Sequence, residues 1–411
     1  MGAGYLCLNK RHRPLLARFA PAAESAGDHP LWIQACSVGE AGAAKPIIAA
    51  WHARHPGMPV LLTASTLTGR AQAEALAGGC VQAGWFPFDH RVCVSRFVRR
   101  AGPRALVLLE TELWPNALRM AARAGVPTVI LNGRVSDKHY PRYLRHRRFF
   151  ASVLRHVTAA GMQNEEYAER LASLGLDRAR LHVTGCTKFD GVATSADAEV
   201  CGRVRAEHGL GTAGPVIVFG STRPGDEVLA AECWRVLRGA FPESRLVVAP
   251  RHLERAGEAV AAFDEPVLRR SEVKDGRKPH GERVLVVDTM GELSAFYACA
   301  TIVVIGGSFF PGVNGHNPLE SAALGVPTVF GPYMRNFVDA ARVLVEGKGA
   351  RQVAGAEDLA GTLAALLQDP ITLGGVGKRG REVVLANQGA IGRSLDLLDA
   401  VLANSDPSPG P

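Results

Sequence analysis

Short runs of β-branched and leucine-type residues alternate along the chain with longer alanine-rich stretches. Residues 31–35, 60–64, 105–109 and 128–132 are almost continuously apolar, which predicts strands buried on both faces of a parallel sheet. The stretches 41–55, 69–77, 92–101 and 114–124 between them have helical composition and length. A second series of apolar runs follows at 216–219, 245–249, 284–287, 301–305 and 328–330, again with helical text between them. A β-α-β-α rhythm of this kind belongs to open, doubly wound α/β sheets. Few large apolar residues fall in 191–214, which predicts a linker. The expected organisation is therefore a domain over 1–190, a linker over 191–214, a second domain over 215–403 and a disordered tail over 404–411.

The 411 residues exceed what one hydrophobic core sustains, in agreement with two domains. Hydrophobic residues make up 47 % and charged ones 21 %, which excludes a largely disordered chain. The eight cysteines never come closer than 13 residues and form no C-x-x-C, so reduced thiols in the cytosol fit better than a disulfide scaffold or zinc ribbon. No run reaches the roughly 18 apolar residues of a membrane span, and the first 23 residues lack a signal-peptide core. Charge changes the picture most. Residues 1–190 hold 25 Lys and Arg against 13 Asp and Glu, a balance of +12, whereas the remainder carries −4. The first half is built to meet something anionic: phosphate, a membrane surface or nucleic acid.

Ligands of doubly wound sheets bind beyond the carboxyl ends of the strands, so residues directly after each predicted strand are the candidates. Glu40 follows the first strand in Ser37-Val38-Gly39-Glu40. It suits either a charge at a helix start or a general base facing a cleft. Glu110 and Glu112 follow another strand in Glu110-Thr111-Glu112-Leu113-Trp114-Pro115-Asn116. Gly220-Ser221-Thr222-Arg223-Pro224-Gly225 opens a helix after a strand, and its backbone amides make Ser221 and Thr222 a candidate cradle for an oxyanion. Arg251 ends a further strand, in reach of a phosphate. In Gly315-His316-Asn317-Pro318-Leu319-Glu320, Asn317 reads as an N-cap and Pro318 as the first helical residue. Glu320 there either closes a capping box or accepts hydrogen bonds from a ribose. Arg134, Lys138, Arg142, Arg145, Arg147 and Arg148 form a basic stretch interleaved with aromatics, suited to a phosphate-bearing or membrane-bound acceptor, or to RNA.

Taken in order, these blocks resemble the family of 3-deoxy-D-manno-octulosonic acid (Kdo) transferases. The similarity rests on SVGE at 37–40, FPFD at 86–89, ETELWPN at 110–116, QNEE at 163–166 and VTGCTKFD at 183–190. It continues with GSTRPGDE at 220–227, APRHLER at 249–255, DTMGEL at 288–293, and GGSF at 306–309 with GHNPLE at 315–320. The resemblance implies a GT-B glycosyltransferase fold, with two Rossmann-like domains facing a central cleft. It implies CMP-Kdo as donor, the lipid A precursor (lipid IVA) as acceptor, inversion at the sugar, and no metal or other cofactor, in keeping with the lack of an Asp-x-Asp motif.

By the same resemblance Glu40 is the base, with Glu110 and Lys188 as further catalytic residues. Pro250, Arg251, Met290, Gly291, Glu292, Asn317, Pro318, Leu319 and Glu320 hold CMP. With no spanning helix expected, the protein would sit peripherally on the cytoplasmic face of the inner membrane, held to an anionic surface by its basic stretch, with no nucleic-acid partner. Two alternatives remain at this point. One is a related GT-B enzyme using a UDP-sugar. The other, supported only by the pI near 9.2 and the basic stretch, is a nucleic-acid-binding protein.

Overall fold

The computed structural model describes residues 10–21, 29–195 and 197–405. The chain divides into two compact units. One runs to Gly191 and resumes at Asn387; the other is Val192–Ala386.

The first unit holds a sheet of seven strands: β1 Leu31–Gln34, β2 Val60–Ala64, β3 Val81–Trp85, β4 Ala105–Leu109, β5 Thr128–Gly133, β6 Ala159–Met162 and β7 Leu181–Val183. All pair in parallel, in the order β3-β2-β1-β4-β5-β6-β7. Alternate side chains of each strand enter two separate cores, as a pleat of period two requires. Trp32, Leu61, Leu106, Leu108 and Ile130 join one cluster; Leu31, Ile33, Val60, Leu62, Val107 and Leu109 join the other. Burial on both faces is why these strands read as unbroken apolar runs rather than as alternating ones.

The second unit repeats the plan with β8 Val216–Thr222, β9 Arg245–Pro250, β10 Val267–Arg269, β11 Val284–Val286, β12 Ile302–Ile305, β13 Thr328–Phe330 and β14 Arg351–Gln352. The parallel order is β10-β11-β9-β8-β12-β13-β14. The chain therefore reverses its winding direction between β1 and β4 in the first unit and between β8 and β12 in the second. Crevices form at such switch points.

Three expectations about organisation need correction. The segment expected as a linker carries a helix, Ala198–Glu207, that belongs to the second unit. The second domain does not extend to 403. Its last stretch leaves it, and the helix Ala390–Ser405 buries Leu395, Leu398, Val401 and Leu402 in a core of the first unit. Asp190 fixes that return by accepting hydrogen bonds from the Gly389 and Ile391 amides at 2.8 and 2.6 Å, the work of an N-cap carboxylate. Asn404 and Ser405 are helical rather than part of a disordered tail, and 406–411 lie outside the described residues.

Candidate active site

In the first unit both loops at the switch point carry acids. Ser37 caps the helix Val38–Arg54: its Oγ accepts the Glu40 amide at 3.4 Å and donates to Glu40 Oε1 at 3.1 Å. Glu40 Oε2 in turn accepts the Cys36 amide at 2.5 Å. The helix-terminus role is therefore real. It does not exhaust the residue. Burial, reinforced by the negative charges of Glu112 and then Glu110, pushes the Glu40 carboxyl up to about 7 in spite of the Cys36 hydrogen bond. A carboxyl that titrates near neutrality suits a general base.

Glu110 ends β4 at φ +57°, a left-handed conformation that costs a non-glycine residue on the order of 1 kcal/mol and collects at functional sites. Just beyond it, Thr111 Oγ1 accepts the Arg134 amide at 3.0 Å and donates to the Arg134 carbonyl, which ties the ends of β4 and β5 together. Glu112 then lies beside the base. Its carboxylate, that of Glu40 and the Cys36 sulfur come within 4.8 Å of one another, and burial pushes Glu112 upward as well. The Cys36 thiol shares a 2.6 Å hydrogen bond with Ser65 Oγ and is pushed up to about 11, mainly by burial. Cys36, Glu40 and Glu112 thus form one close trio of titratable groups.

The sequence offers Glu110 and Glu112 together after their strand and the family resemblance gives a catalytic role to Glu110 alone, because proximity of Glu112 to Glu40 is set by the turn at Glu110 and not by spacing. Lys188 sits in the single turn Thr187–Phe189 after β7, at the edge of the sheet. Of the basic stretch, Lys138, Arg142, Arg145, Arg147 and Arg148 are exposed, together with Leu144 and Phe149. Arg134 is not part of that surface. It is half-buried at the end of β5, with its backbone held by Thr111.

In the second unit the strand ends surround a cavity of about 310 Å³. Pro250 and Arg251 reach it from the end of β9, Met290 and Gly291 from the loop after β11, and Asn317 and Glu320 from the loop and helix that follow β12. Ser221 lines it too, at φ +57°. Tyr297 closes the floor, and only a glycine at 220 admits it: a Cβ there would lie 1.9 Å from the tyrosine oxygen. Glu320 is bonded at its helix terminus and also borders the cavity. Asn317 donates to Glu320 Oε1 at 3.1 Å while its Oδ1 accepts the Leu319 amide, yet the acid still lines the cavity, and burial raises it above the ordinary carboxylate range.

His316 was missed by the sequence reading. Its Nε2 is buried without a hydrogen-bond partner, and burial together with Arg223, Arg251 and His252 lowers the ring to about 4, so it is neutral at physiological pH. The signal that could have found it is its place between Gly315 and Asn317.

Four expected residues do not line the cavity. Glu292 points into an ion pair with Arg270 at 2.9 Å and accepts a short hydrogen bond from Thr289, which shapes the loop rather than holding a ligand. Pro318 and Leu319 are buried, Leu319 completely. Thr222 is also buried and donates to Glu227 Oε1 at 2.9 Å. The turn beyond Thr222 supplies its own anion, since Asp226 Oδ2 accepts the Arg223 and Gly307 amides at 2.8 and 2.6 Å.

Residues 13–191 match the model of a family described as 3-deoxy-D-manno-octulosonic-acid transferase (kdotransferase). A protein of that description from Bordetella pertussis is 35 % identical over 388 residues, covering 90 % of this chain and 87 % of its own. The chain belongs to the Kdo transferase family. A second member, from Haemophilus influenzae, is 29 % identical over 90 % of this chain and 87 % of its own. Among solved structures, Anabaena HepE in complex with UDP superposes with a TM-score of 0.59 at 12 % identity, over 91 % of this chain and all of that one; this likeness concerns the fold alone. The fold is GT-B, as the family resemblance implied, and the protein is a glycosyltransferase with two all-parallel seven-stranded sheets.

Proposed function

We propose that this Kdo transferase takes Kdo from CMP-Kdo and adds it, with inversion and without a metal, to the lipid A precursor at the cytoplasmic face of the inner membrane. The observation that carries this reading is Glu40, a carboxyl pushed up to about 7 at the switch point of a sheet in a Kdo transferase. In the step proposed, ionised Glu40 removes the proton of a sugar hydroxyl on the acceptor. The hydroxyl oxygen bonds to the anomeric carbon of Kdo, and the bond from that carbon to the CMP phosphate breaks, its electron pair leaving with CMP. Arg251 and neutral His316 face the phosphate as it gains charge, Glu320 accepts from the ribose, and Lys188 has the further catalytic role that the family resemblance implies. Glu110 stabilises the cationic sugar.

The test is direct. Purified protein, treated with a chelator, is incubated with CMP-Kdo and lipid A precursor, and the lipids are weighed by mass spectrometry. A mass gain of one or more Kdo units supports the reading, and an unchanged lipid, or transfer from a UDP-sugar instead, overturns it.

Peripheral attachment is the second element. Among the described residues no single helix is long and apolar enough to cross a membrane. The exposed cations Lys138, Arg142, Arg145, Arg147 and Arg148, with Leu144 and Phe149 between them, suit an anionic surface that attracts each cation by about 1 kcal/mol. Flotation with anionic liposomes should be lost near roughly 0.5 M salt and on reversing Arg142, Arg145, Arg147 and Arg148 to Glu. Equal flotation with neutral liposomes would point to an apolar anchor instead.

A further inference from the structure

Glu112 has no part in the step just described, yet it is the acid that acts most strongly on the base. It is placed by the turn at Glu110 and stands with Cys36 Sγ and a Glu40 oxygen within 4.8 Å. The groups that surround Glu40 come from three loops. Cys36 and Ser37 come from its own loop, Ser65 follows β2, and Glu110 and Glu112 follow β4. A cation, Arg18, donates to the carbonyls of Ser65 and Phe86 and acts on the thiol of the trio. The base thus has two acids acting on it, and a thiol stands close to it and to one of them.

We propose that Glu112 is the positioning partner of the base: an ionised carboxylate, set beside Glu40 by the loop after β4, that makes Glu40 hold the proton it takes from the acceptor. This rests on Glu40 being the base. In water a glutamate is too weak a base to draw a proton from a sugar hydroxyl with much effect, and proton transfer improves as the pKa of the base approaches the working pH. Two routes raise a carboxyl, burial and a like charge a few ångströms away, and the structure supplies both. Burial alone would also keep the substrate's hydroxyl dry. The like charge has the advantage of remaining in place when the acceptor displaces water. During the step the proton moves from the hydroxyl to Glu40, Glu112 stays ionised, and the repulsion between the two acids is relieved as Glu40 is neutralised. The proton passes to water once the product has left. The Cys36 thiol donates toward Glu112, which favours its ionised form against the effect of burial.

Two readouts on the full-length protein test this. The pH dependence of kcat/KM gives the acidic limb of transfer. Infrared difference spectra of the unliganded protein follow the protonated-carboxyl band that disappears in Glu40→Gln. Glu112→Gln should move both midpoints down by about one pH unit, and the plateau rate should fall roughly threefold to tenfold as the base weakens. Glu112→Asp, which keeps the charge, should leave the infrared midpoint near that of the unaltered protein. Glu112→Thr replaces Glu112→Gln if the amide does not fold. A folded, uncharged variant whose Glu40 midpoint stays where it was overturns the proposal. If Glu40→Gln itself transfers Kdo at the normal rate, the base assignment fails, and the role of Glu112 fails with it. An inactive Glu40→Gln beside an unmoved midpoint rejects Glu112 alone.

Discussion

The two units share a sheet plan and put it to opposite electrostatic use. At the switch point of the first, acids are packed together and pushed up: Glu40 to about 7, with Glu112 raised beside it. At the cavity of the second, Arg223, Arg251 and His252 act on one histidine and help to lower it to about 4. One site gathers acidic groups that raise one another, and the other gathers basic groups around a neutral ring. The fold is thus indifferent to the chemistry, which is set by a few residues on each strand-end loop. Both loops spend backbone strain in the same way, with Glu110 and Ser221 at φ +57° immediately at strand ends.

The contrast is broken most severely at Glu40. Glu40→Gln should lower Kdo transfer by ~10²–10⁴-fold while CMP binding, measured by isothermal titration, stays close to normal. The same substitution should have a signature in stability. Glu40 binds its proton more tightly in the folded chain than in the unfolded one, so the stability this gives is fully present below about pH 4.5 and declines as pH rises toward about 7. Glutamine mimics the protonated form. Glu40→Gln should therefore melt higher than the unaltered protein at pH 8 and nearly level with it at pH 4.5, with a gap on the order of 2–3 kcal/mol at the upper end.

On the other side of the comparison, Glu320→Ala should weaken CMP binding by ~1–3 kcal/mol with little change in melting temperature. The reverse pattern would make Glu320 a helix cap only. The smallest effect belongs to neither site. Asp190→Ala removes the carboxylate that receives the Gly389 and Ile391 amides, and should cost ~0.5–2 kcal/mol of stability while leaving CMP affinity unchanged.

What could be read from the sequence follows from where side chains go. β1, β2, β4, β5 and β8 are buried nearly throughout, and their apolar runs gave them away. β6 is equally buried but reads Ala-Ala-Gly-Met, with no β-branched residue to mark it, and β3 is interrupted by Gly84. β7, β10 and β14 are edge strands of two or three residues. The helix Ala198–Glu207 buries no side chain, so its pattern resembled a linker. In the sites, the motif residues fall in different settings: Glu40 stands at a switch-point loop, Arg251 and Glu320 line the cavity, Glu292 is paired within its own loop, and Leu319 is buried in the core. Glu112 and His316 depend on a turn and on the neighbours it brings, and no spacing encodes that.

The return of the helix Ala390–Ser405 to the first unit also fixes an order of events during synthesis. The second unit is one continuous stretch, Val192–Ala386, and all its strands are synthesised before that helix. The first unit is begun first and finished last. Until residues 390–405 emerge, the sheet face that will receive Leu395, Leu398, Val401 and Leu402 stays open. A ribosome stalled within the second unit would hold a nascent chain with an uncovered apolar face, the kind of surface that draws chaperones. Chains cut at 386 should for the same reason aggregate through the half of the molecule that was translated earliest.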